Sequence, residues 1–216
     1  DLAISSHLTL LTGIAGINVY IVRILKLPFD ISLHFYFFFF VGVIITGILK
    51  MFFYSSVGAG FLGTLGSSAL LYVSIHWIIL GNTINIPLLY IQGLLLGFGA
   101  SMTLVSGSMA TLLDGDLKEA AQRSQTMHTI RNFSAAMLIP IIAYTIKNHI
   151  QKGTQSIYAE NITDKMIYLK KLQDVAIDAD HQIFLLMIIF NMVMFVSSII
   201  QMILGKGRRI TPPRES

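Results

Sequence analysis

Six long apolar stretches dominate this chain: Ser5–Leu25, Ile31–Tyr54, Gly58–Leu80, Ile86–Leu113, Ser124–Ile146 and Ile183–Leu204. Each has roughly the 20 residues that an α-helix needs to cross about 30 Å of hydrocarbon. A β-barrel strand would be about half that length and would alternate in polarity. Phe35–Val41 instead runs through aromatic and aliphatic residues without a break, so helices are predicted. Of 216 residues only 12% are charged and 54% are hydrophobic. Soluble domains carry about 25% charged residues, so this surface requires lipid as its solvent. No polar linker separates the stretches, and the prediction is one all-α, polytopic bundle of six spanning helices over residues 1–216.

Two connections carry most of the charge. The first, 114–123, holds Asp114, Asp116, Lys118, Glu119 and Arg123. The second, 147–182, is long and polar. Within it Ile162, Met166, Leu169, Leu172 and Val175 recur at helical spacing, with Thr163 and Asp164 as caps. That pattern predicts a short amphipathic helix lying on the membrane surface. An even number of spans puts both termini on one side. Lys147, Lys152, Lys165, Lys170 and Lys171 in 147–182 balance the raw count of basic residues, but the density of Lys206, Arg208, Arg209 and Arg214 in the tail 205–216 favours a cytoplasmic tail by the positive-inside rule, with 147–182 external. No basic region or cleavage site precedes the first span, so a signal peptide is not expected, and the chain is expected to be cut from a longer protein. There is no cysteine, which excludes disulfides and thiolate metal sites. The net charge of +4 is spread along segments flanking the spans, which suits lipid headgroups better than nucleic acid.

Small residues mark the helix contacts. Gly58, Gly60, Gly63 and Gly66 open the third span, and Gly93, Gly97 and Gly99 lie in the fourth; such spacing lets helices approach closely in lipid. The fourth span would reach about 42 Å at 1.5 Å per residue, so it must tilt, bend or protrude. Pro140 should kink the fifth. Spans one and four, the first helices of two three-helix halves, are both interrupted by glycine and polar residues, a pointer to a site at the midplane.

Intramembrane charges are functional candidates by default. No Asp or Glu lies deep in these six stretches, and Arg131 is the one charge set well inside. Its alternative role is a surface pair with Asp114 or Asp116. His34, His76 and His128 stand on three different spans without metal-ligand spacing, so packing histidines are the simpler reading. The sequons at Asn161 and Asn132 are chance-level motifs, the second lying inside a span.

The layout resembles the C-terminal six-helix half of a major facilitator superfamily transporter, and most closely the fourteen-span drug:proton antiporters. Pro87–Gly99 (PLLYIQGLLLGFG) is similar to the Gly-rich fourth helix of that half, with Gly93, Gly97 and Gly99 matching. Ser124–Ala136 (SQTMHTIRNFSAA) is similar to the segment in which an arginine, here Arg131, precedes small residues, here Ser134, Ala135 and Ala136. A long external loop before the last span also matches. The family's charged gating motif is reduced to Lys50 and glycines in Gly47–Gly58, and Leu138 replaces a usual glycine.

The resemblance implies a 3+3 inverted repeat and an N-terminal partner half of six to eight helices in the same polypeptide. It also implies proton-driven efflux of small amphipathic solutes across a bacterial inner membrane, with no cofactor beyond the proton gradient and no enzymatic activity. Candidate cavity residues are Asn18, Tyr20, His34, Gln92, Ser101, Arg131 and Asn132; Gly93, Gly97, Gly99 and Pro140 would serve packing and gating. Two rival functions were weighed. One is a membrane anchor or sensor. The other is an intramembrane serine protease, for which Gly99-Ala100-Ser101 begins the nucleophile motif but Met102 replaces its last glycine and His181 stands only at the edge of the sixth span.

Overall fold

The computed structural model describes residues 2–81, 83–113, 117–160 and 164–204, and every regular element among them is helical. α1 (Leu2–Asn18) runs on through a π-helical turn, Val19–Ile24. α2 (Phe29–Ile78) is two arms, residues 29–54 and 56–78, broken at Gly58. α3 is Ile86–Leu113; a 3-10 turn at Leu117–Glu119 leads into α4 (Ala120–Ala159), and α5 is Lys165–Leu204. Six segments, counting both arms of α2, are long and apolar enough to cross a membrane. Their polarity is that of a multi-pass membrane protein. Phe37, Phe40, Ile44 and Ile48 of α2 and Ile189, Val193, Val196 and Ile200 of α5 are exposed, while Thr9, Thr12, Ser67, Ser74, Thr103, Asn191 and Ser198 are buried.

The second and third spans meet without a loop. Gly58 takes φ 78°, ψ 170°, and this one residue breaks the helix. A left-handed φ costs an L side chain roughly 1–2 kcal/mol but glycine nothing. Glycine also sets how closely the helices pack. A Cβ on Gly97 would lie 1.9 Å from the Phe39 carbonyl oxygen, and one on Gly42 2.1 Å from that of Leu94. Gly66 and Gly99 face each other, each aimed at the other's carbonyl oxygen at 2.9 and 2.7 Å. These contacts press α3 against both arms of α2. On the other side of the bundle α1 packs on α5 through Gly16 against Phe184 and on α3 through Gly107 against Ala3.

The interior is tied by hydroxyl and amide groups. Thr9 Oγ1 donates to Asn191 Oδ1 at 2.9 Å, and Asn191 Nδ2 lies 3.1 Å from both the Leu70 carbonyl and Ser74 Oγ. Ser6 and Thr103 share a hydrogen bond of 2.7 Å. Together they bridge α1, α2, α3 and α5 through satisfied polar pairs, the form in which buried polar groups are tolerated.

Residues 147–182 are not a loop with a short surface helix. α4 continues to Ala159 and α5 starts at Lys165, so the turn shrinks to 160–164. Each of these helices has 40 residues, about 60 Å at 1.5 Å per residue and twice the hydrocarbon thickness. Beyond the bundle they pair as a hairpin, with Gly153 against Val175, Tyr158 beside Tyr168 at 6.1 Å, and Lys171 bound to Glu160. The rise in polarity at 147 does not mark the end of a helix, because helical hydrogen bonds persist in water when one face is packed. Asp164 does cap α5, accepting from the Met166 N–H at 2.8 Å. Asp114, Asp116, the Asn161 sequon and the tail 205–216 lie outside the described residues.

Candidate functional site

The candidate cavity residues divide into three groups. Tyr20 and Gln92 belong to the interior, at 0% and 1% exposure. Gln92 accepts from Trp77 Nε1 at 2.8 Å and donates to His76 Nδ1 at 2.9 Å, and Tyr20 donates to the Gly81 carbonyl. Both are thereby committed to holding helix ends together rather than lining an open path. Ser101 and Arg131 are half-buried. Asn18, His34 and Asn132 are exposed.

His34 donates from Nδ1 to the Asp30 carbonyl at 2.8 Å one turn earlier, with its ring 5.8 Å from Tyr90. It stands among the exposed aromatic residues of α2 and apart from Asn132. Ser101 offers its carbonyl to Lys50 Nζ, which reaches across from α2. Lys50, the one charge left at the position of the family's gating motif, is thus a second half-buried cation within a span.

α4 brings several polar groups onto one exposed stripe. Gln125, Thr129, Asn132, Ala136, Pro140 and Ala143 follow at three- and four-residue spacing, and of these all are exposed, with His128 beside them. Arg131 stands at the edge of this stripe, donating from Nη2 to His128 Nδ1 at 2.8 Å. A second exposed stripe, a third of a turn away, is apolar: Ile130, Phe133, Met137, Ile141 and Tyr144. Leu138, at the position where a glycine is usual, is buried on the packed side. Pro140 is exposed and sits inside α4, which continues past it on both sides.

Gly93, Gly97 and Gly99 pack closely on α2, against Phe35, Phe39 and Gly66 respectively, and Gly42 of α2 packs in turn on Leu94 and Phe98. The groups needed for a serine nucleophile are far apart. His181 donates to the Leu80 carbonyl at 2.8 Å, before α3 begins at Ile86. Ser101 stands some four turns further along, about 22 Å at 1.5 Å per residue. Among the described residues no group of His, Cys, Asp and Glu could hold a metal ion.

Comparison with protein-family models, with curated proteins and with solved structures gave no significant match to this chain. The geometry therefore carries the functional reading on its own.

Proposed function

We infer that the chain is one six-helix half of a secondary transporter of the major facilitator type, moving small amphipathic organic solutes outward against a proton gradient. The observation that carries this reading is the exposed polar stripe of α4, Gln125, His128, Thr129 and Asn132 with Arg131 at its edge. Lipid offers such side chains no partner. A water-filled path, or a second helical half closing over it, does. The faces of α2 and α5 are apolar at the same time, so the molecule has one side suited to lipid and one that is not.

The helix contacts support the same reading. The fourth span packs on the second and third, the first packs on the fifth and sixth, and the third meets the sixth. These contacts map onto one another when spans one to three are exchanged for spans four to six, as inverted repeats around a central site would, while the packing of the fifth span on the sixth stands outside that pattern. Glycine sustains both halves of it, Gly97 on one side and Gly16 on the other.

The absence of cysteine makes the test direct. Asn132→Cys, Phe133→Cys and Met192→Cys, introduced singly into the full-length protein in native membranes on a background free of other reactive thiols, are exposed to a membrane-impermeant thiol reagent. Asn132→Cys should react quickly and be slowed by a transported solute, with Phe133→Cys and Met192→Cys inert. Equal silence at Asn132 would end the transport claim and leave a membrane anchor. In proteoliposomes, Arg131→Ala should abolish solute flux while leaving protein abundance unchanged.

A further inference from the structure

At the end of the bundle where α1 and α2 finish, α5 carries a carboxylate that the proposed transport path does not use. Asp180 is 2% exposed, and neither carboxylate oxygen has a hydrogen-bond partner among the described residues. Ile177 and Phe184, one turn before and after it on α5, are both buried. Tyr20, in the π-helical turn of α1, is buried in the same cluster as Ile177 and Phe184. Three contacts close this end around the acid: Tyr20 to the Gly81 carbonyl, His181 Nε2 to the Leu80 carbonyl at 2.8 Å, and Gln173 Nε2 to the Ile24 carbonyl at 3.4 Å. The backbone is irregular at the same place. α1 widens into its π-turn, with the Leu25 N–H reaching back to the Tyr20 carbonyl, and Lys26 takes φ 52°. Such turns concentrate at sites that move or bind.

We propose that Asp180 is a proton-binding site that works as a latch on this end of the bundle. An ionised carboxylate sealed among apolar side chains without a donor costs far more than the neutral acid. The protonated form lets α5 seat against the π-turn of α1 and the α2–α3 connection. When the proton leaves to water, the carboxylate must be hydrated, and the three surrounding contacts release. Of the other charged or titratable groups on the packed elements, Arg23 and Lys152 are exposed, His149 is exposed on α4, and His76 is bonded to Gln92. No ion pair to Asp180 is formed by any described residue. The latch does not depend on the transport reading, since an anchor with this packing would open in the same way.

Hydrogen exchange of the full-length protein in nanodiscs tests it, with protection factors corrected for the intrinsic pH dependence of exchange. As pH rises, protection at Leu80, Ile24 and Leu25 should fall, by up to about tenfold per pH unit, the limit for one linked proton. Asp180→Asn, which mimics the neutral acid, should hold these amides protected at every pH, while His181→Gln keeps the pH response. A wild-type protein without the response, or an Asp180→Asn protein that retains it, overturns the latch. Should that variant not fold, infrared spectra decide. The wild type must show a buried protonated carboxyl band at acidic pH that Asp180→Glu shifts, and a missing or unshifted band overturns the proposal equally.

Discussion

Asn191 shows how much one polar side chain can organise in a membrane bundle. Its amide joins Thr9 of α1 to Leu70 and Ser74 of α2, and it is fully buried on α5. Asn191→Leu would leave the Thr9 hydroxyl without its acceptor, at about 1–3 kcal/mol, while Ser74 Oγ keeps its bond to the Leu71 carbonyl. The melting temperature of the purified protein in detergent should fall clearly, and Thr9→Val in the same protein should recover part of the loss. Unchanged melting would mean that the network is incidental. Gly97 acts by absence rather than presence. With 1.9 Å available between an added Cβ and the Phe39 carbonyl oxygen, Gly97→Ala forces α3 away from α2. Overpacking of that kind typically costs about 1–3 kcal/mol, and chemical unfolding in mixed micelles should register it. Gly47, which has open space around it, is the control: Gly47→Ala should be neutral or slightly stabilising.

Among the elements, α4 and α5 differ most from what their composition suggested. The polar run 147–182 contains enough charge to leave the membrane, yet its two helices keep each other in register through Gly153–Val175 and Tyr158–Tyr168. Asp164 starts α5 by accepting from the Met166 and Ile167 N–H groups at 2.8 and 3.5 Å. Replacing a cap of this kind with alanine costs about 1 kcal/mol. Asp164→Ala should therefore speed amide exchange in the first turn of α5 and leave the turns around Asn191 unaffected. Gly153→Leu is the stronger disruption, since a Cβ there already meets Val175 Cγ1 at 2.5 Å. It should raise the rate at which added protease cuts between 150 and 175 while the amount of protein in the membrane fraction stays unchanged. Slow cleavage identical to wild type would show that the hairpin does not rely on this contact.

At the scale of the whole molecule, exposure is distributed unevenly. α2 and α5 turn phenylalanine, isoleucine and valine outward, and α4 turns outward a mixed face with Asn132 and Gln125 on one stripe and Phe133 and Met137 on the next. The bundle therefore has an apolar side, suited to lipid, and a mixed side. If a second helical half closes over the mixed side, as the proposed function requires, the α4 polar stripe should be protected from aqueous thiol reagents at some cysteine positions and open at others. Uniform protection along Gln125, Thr129 and Asn132 would describe a sealed interface rather than a path. Asp180 adds a pH-sensitive end to this architecture, and its exchange signature is separable from any flux measurement.

The six apolar stretches were enough to foretell helices long and apolar enough to cross a membrane, and six such segments are present among the described residues. Crossing hydrocarbon with a satisfied backbone leaves few alternatives, and that requirement is written residue by residue. Glycine at three- and four-residue spacing also foretold close packing, because Gly97 and Gly99 need no partner to be recognised as small. Which faces meet was decided only in three dimensions. Tyr20 and Gln92 read as cavity residues by polarity, and folding consumed them in hydrogen bonds to groups 61 and 16 positions away in the chain. Asp180 fell outside the predicted last span, because a charged residue beside a polar run looks solvated. Continuation of α5 through it, under the end of α1, placed it in the core. Hydropathy is a property of neighbours along the chain, whereas burial of a single acid depends on what arrives from elsewhere.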